Sequence, residues 1–252
     1  MEPLISGVVF FIGTLAAALI GMRLRPKLKQ EYLSQESMSA MKLAVGMIST
    51  MTALILGLVI ASTQSNFNKV ENDVGDVAVR ILTLDRLLAH YGNEANGVRG
   101  ELKGVVSSMI SPQMNYFKTE QDAVIRQHKS GMEDVINDSL TLNPANELQK
   151  KTFSQIDRVT GGLLMSRWHA INSIGRSVSA VFHASLFIWL IVIFFSFGLL
   201  SPSNPLVKIG FVLTSFCMAN AIFLIDELDG AYDGLVTVGK EPLIFIYNLL
   251  NR

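Results

Sequence analysis

The chain has 252 residues, 50% of them hydrophobic and 17% charged, with 21 basic and 21 acidic side chains. That is poor in charge for a soluble domain and normal for a membrane protein with one polar domain. A net charge of zero gives no reason to expect nucleic-acid binding. The single cysteine, Cys217, excludes an internal disulfide, a CxxC motif and a thiolate zinc site, and reads as a small buried hydrophobe.

Four apolar stretches stand as two pairs around a polar middle: Leu4–Met22, Leu43–Ala61, Val178–Leu200 and Ile209–Ile225. Each is long enough, or nearly so, to cross ~30 Å of hydrocarbon as a helix, and none carries a charge at its centre. Met1-Glu2-Pro3 lacks the basic start of a signal peptide, so the first stretch reads as a retained span. Arg23, Arg25, Lys27 and Lys29 follow it, and Lys208 follows the short Ser201–Pro205 connection. Basic residues in short loops are kept in the cytoplasm, which places the N-terminus and the polar middle outside.

The second span is expected to continue beyond the membrane. No Pro or Gly follows Ala61 at once, and Val70, Val74, Val77, Ile81, Leu84, Leu88 and Tyr91 recur at alternating spacings of four and three. Gly92 is the expected C-cap. A helix ending at Pro112 is read from Ala95, Val98, Leu102, Val106 and Met109. Met114, Phe117, Val124, Val135 and Ile136 predict another, to about Leu140. Asn143-Pro144 is the expected start of a long helix running into the third span, with a kink at Gly161-Gly162. Arg80, Asp85, Arg86 and His90 are expected to make salt bridges within this helical domain. After the fourth span come an acidic segment and an apolar run, 243–250, too short to span, which predicts an interfacial or docked helix. The expected divisions are 1–65, 66–176, 177–226 and 227–252.

No HxxxH, HExxH, GxSxG or Walker lysine loop is present, so the motifs argue against an enzyme and imply no cofactor or metal. His183 lies in the third span, where an ionisable group is a functional candidate, although a histidine hydrogen-bonded near a helix end is the plainer reading. Ser49, Ala53, Gly57 and Ala61 are spaced by four on the second span, as are Gly13, Ala17 and Gly21 on the first. Small residues at this spacing let helices pack closely in lipid. The second span also carries hydroxyls, as a pore helix needs. Thr52, Ile55, Val59 and Ser62 form one helical face and are the expected pore lining. One helix cannot enclose a pore, so this reading requires a homo-oligomer. Asp226, Glu227, Asp229 and Asp233 lie where the fourth span ends. Three roles fit them: pairing with Arg176 or Lys69, an acidic ring at a pore mouth, or a hard-cation site without EF-hand spacing.

Leu84-Asp85-Arg86-Leu87-Leu88-Ala89-His90-Tyr91-Gly92, the Leu199–Asn204 turn and Ile222–Asp229 followed by Gly234 together resemble the bacterial bestrophin-like membrane proteins. The resemblance covers nearly the whole chain. Ala231-Tyr232 stands where that family usually has Pro-Phe. It implies an all-α integral membrane protein of the bacterial inner membrane, with four spans in two pairs flanking a helical extramembrane domain. It further implies a pentameric homo-oligomer and an ion channel lined by the second span, with the lipid bilayer and inorganic ions as partners. Many bestrophins pass anions and keep the helical domain in the cytosol; the carboxylates and the Lys/Arg count here point the other way. The rival reading is a non-conducting scaffold or sensor whose helical domain binds a partner.

Overall fold

A computed structural model of the chain describes residues 3–29, 31, 34–111, 116, 117, 119, 131–172, 180–230, 232 and 235–251. Every regular element among them is helical: α1 (Pro3–Leu24), α2 (Gln35–Tyr91), α3 (Asn96–Ile110), α4 (Gly131–Leu140), α5 (Glu147–Asn172), α6 (Ala180–Leu200), α7 (Pro205–Asp229) and α8 (Glu241–Leu250). The chain divides into two compact units, residues 1–66 with 177–236 and residues 67–176 with 237–252.

Among the described residues, four helices are long and apolar enough to cross a membrane, and the first unit holds them: α1, the first half of α2, α6 and α7. α1 packs against α6 and α7. Small residues allow this approach. A Cβ at Gly198 would run into the carbonyl oxygen of Ala18, and one at Gly21 into that of Phe195. Gly13 makes room for the Phe187 ring, which meets Phe10 edge-on with centroids 5.0 Å apart. The small-residue stripe of α1 is therefore a packing face within the chain. Arg25 Nη1 donates to Leu200 O at 2.9 Å, satisfying a carbonyl at the end of α6. α7 starts where Asn204 Oδ1 accepts the Val207 N–H at 2.8 Å, with Pro205 at the first helical position.

The second unit is built on the apolar stripe of α2. Val70, Val74, Val77, Ile81, Leu84, Leu88 and Tyr91 are all buried. Gly92, at φ 124°, ends the helix in a conformation that only glycine adopts without strain. α4 packs on α3 and on α5, and α8 docks on α3, with its Leu243, Ile246 and Leu250 buried. Lys240 Nζ donates to Ser111 O at 2.8 Å beside it.

Two starts differ from expectation. α2 begins at Gln35, well upstream of Leu43. α5 begins at Glu147 rather than after Asn143-Pro144, because Asn146 is the cap: its Oδ1 accepts Gln149 N–H, and Gln149 Oε1 accepts Ala145 N–H, both at 2.8 Å. Helix α5 runs through Gly161-Gly162 without a break; Gly162 leaves room for the Arg80 guanidinium, which a Cβ there would displace. The readings that rest on Pro112, Met114, Val124, Arg176 and Asp233, and the continuity of α5 into the third span, fall outside the described residues.

Candidate pore helix and acidic segment

The membrane-spanning part of α2 has two unlike sides. Val45, Thr52 and Thr63 are buried, and Ile48, Leu56, Val59 and Ile60 pack against the core of the first unit. These positions repeat at threes and fours, so they form one face turned toward α6 and α7. Leu43, Met47, Leu54 and Leu58 on the other side are each 69–74% exposed in the chain.

The expected pore-lining and small-residue positions fall on both sides of this division. Thr52, expected in a pore, is buried, and its Oγ1 donates to Ile48 O at 2.8 Å. Ile55 and Val59 are half-buried beside it; only Ser62 of that set is exposed. A threonine hydroxyl on a helix bonds its own backbone and needs no aqueous surface. Of the small residues, Ser49 is half-buried while Ala53, Gly57 and Ala61 are exposed, and a Cβ at Gly57 would meet nothing within 4 Å. They are not a helix-packing face within this chain.

The acidic segment is held by the protein around it. Asp226 Oδ1 lies 2.6 Å from His183 Nε2, with both side chains mostly buried. α6 and α7 form a hairpin around the 201–204 connection, so residues at similar distances from the turn meet at one depth. His183 and Asp226, each noticed separately in the sequence, could have been paired on that ground. Glu227 is buried, and its Oε1 accepts the N–H groups of Leu235 and Val236, the latter at 2.8 Å. Carboxylates at a helix C-terminus oppose the helix dipole, so partners are needed. Within the chain Asp226 is partnered by a histidine rather than a lysine or arginine, and Glu227 by backbone N–H groups. Asp229 is half-buried. Cys217, expected to be buried, is exposed on α7. In a membrane helix an outward side chain meets lipid, which is as apolar as the core, so hydrophobicity does not choose the face.

In the second unit the expected ion pair of Asp85 forms with Arg99 of α3, at 2.8 and 3.3 Å through two nitrogens. His90 Nδ1 lies 2.7 Å from Arg86 O.

No curated protein matches the sequence. A family model described as a bestrophin-like domain matches residues 8–243. The chain belongs to the bestrophin-like family. Its fold is also that of a bacterial bestrophin homologue from Klebsiella pneumoniae, whose crystal structure matches with a TM-score of 0.64 at 15% identity, covering 97% of this chain and 96% of the other. At that identity the likeness establishes the fold alone. Among its described residues this bestrophin-like chain is therefore an all-helical membrane protein with four helices long and apolar enough to span.

Proposed function

We propose that this bestrophin-like protein forms a homo-oligomeric ion channel of the bacterial inner membrane, with its pore lined by α2. The observation that carries the reading is how little of α2 the chain covers. Only 11% of its membrane span is buried, against 28–39% for the other three spans. A pore-lining surface must be open in the single chain and becomes enclosed only by further copies around an axis. The open stripe of α2 runs Met47, Met51, Leu54, Leu58 and on to Ser62, at spacings of three and four. It combines an apolar band with a hydroxyl beyond it, the composition of a hydrophobic constriction that gates by dewetting. Ser62 keeps its place from the sequence reading; Thr52 and Val59 give way to Leu54 and Leu58.

The test is ion flux from liposomes carrying the purified protein, with chloride and potassium gradients measured separately. Flux selective for either ion is expected, together with a stable oligomer in detergent. Leu54→Ala with Leu58→Ala should widen the constriction and raise flux several-fold, while Val59→Ala leaves it near wild type. A folded oligomer that passes neither ion, or a stable monomer, would transfer the assignment to a membrane-anchored scaffold or sensor.

A further inference from the structure

α2 stands off from α6 and α7, leaving a groove of about 740 Å³ between them within the first unit. Ala53 and Gly57 form one wall, and Phe197, Gly210, Phe211 and Met218 the other. A Cβ at Gly57 or Gly210 would meet nothing within 4 Å, so missing side chains keep the space open. The walls are almost wholly carbon. The hydroxyls of Thr52 and Thr214 are bonded to Ile48 O and Gly210 O, at 2.8 and 2.9 Å, and ask for no polar ligand.

Length and charge indicate the occupant. The groove extends from Ser49 to Ile60 on α2 and from Val207 to Met218 on α7. At 1.5 Å per residue that is ~16 Å, about half of the ~30 Å hydrocarbon layer, which is the reach of one leaflet. Its polar features lie at one end. Ser49 Oγ is buried there without a hydrogen-bond partner. Ser201 lines the same end, and Arg25 is bonded to Leu200 O beside it. Lys208 is exposed next to Val207. A chain that is apolar over one leaflet and anionic at the loop end fits these features. We infer that the groove binds an acyl chain of an anionic phospholipid from the leaflet on the side of the 201–204 connection. Arg25 and Lys208, at the loop end, face its phosphate. This inference does not depend on conduction.

The full chain is reconstituted in phosphatidylcholine bilayers containing a little phosphatidylglycerol with a photoactivatable acyl chain, and adducts are mapped by mass spectrometry. Adducts should concentrate on Phe197, Phe211 and Met218, well above the outward-facing Val8 and Ile12 of α1. Gly57→Leu with Gly210→Leu should abolish the groove adducts and spare those on α1. Gly46→Leu, an equally open glycine that does not line the groove, should change nothing. Lys208→Gln should lower groove labelling about fivefold, the factor for ~1 kcal/mol per basic residue near an anionic surface. It is an exposed substitution and reads the site even if the double leucine variant does not fold. Groove labelling no higher than on α1, or unchanged by filling, would overturn the inference. So would an unlabelled wild-type groove whose filling dissociates the oligomer, since a second copy would then occupy it.

Discussion

Asp85 and Arg99 differ in how far water reaches them: the side chains are 1% and 26% exposed. Arg99→Ala strands a buried carboxylate, whereas Asp85→Ala leaves an arginine that can turn to solvent. Loss of a partner to a buried charge costs ~3 kcal/mol or more. Thermal unfolding should therefore show Arg99→Ala to be the more damaging change, although both remove the same ion pair. Glu101 on α3 is a milder case. Desolvation, then Asp138 through repulsion and a hydrogen bond to the protonated form, then Asp134, raise its carboxyl above the ordinary 4.5. The folded chain thus binds this proton more tightly than the unfolded one, and stability falls as pH rises from 4.5 through the folded value. Glu101→Gln should leave the unfolding temperature unchanged at pH 4 and raise it slightly at pH 7. The effect is small because Glu101 is exposed and water screens its neighbours.

Between helices, two glycines that look alike in the sequence carry different obligations. At Gly198 the obstacle to a side chain is the backbone oxygen of Ala18, which cannot move without separating α1 from α6. At Gly162 it is the end of the Arg80 side chain, which can swing away. Gly198→Ala should destabilise by ~2 kcal/mol or more through overpacking. Gly162→Ala should cost less than ~1 kcal/mol, since alanine's better helix propensity offsets the displaced guanidinium. Unfolding in detergent separates the two. Neither outcome is legible from small-residue spacing. The stripe on α1 packs inside the chain, whereas the stripe on α2, with the same period, is open. Spacing says that a close approach is permitted; only the partner says whether one occurs.

At the scale of the whole molecule, the order of helices followed directly from the sequence. Four uninterrupted apolar runs of this length read as helical spans, because in lipid a helix satisfies its own backbone hydrogen bonds and the runs lack the alternation of barrel strands. The seven-residue stripe on α2 had to be buried, because the water around it makes apolar exposure costly. Gly92 had to end that helix, since the chain turns there at positive φ. The same force could not choose faces within the membrane spans, where lipid and protein interior are equally apolar. In the single chain Thr52 is buried, Val59 half-buried, and Ala53, Gly57 and Cys217 exposed, an arrangement that hydrophobicity alone does not fix. Tertiary structure decided which side of α2 is covered, which carboxylates are held by His183 and by backbone N–H groups, and where a groove remains between α2 and α7. These depend on contacts between residues far apart in the chain, at depths where hydrophobicity no longer tells inside from outside.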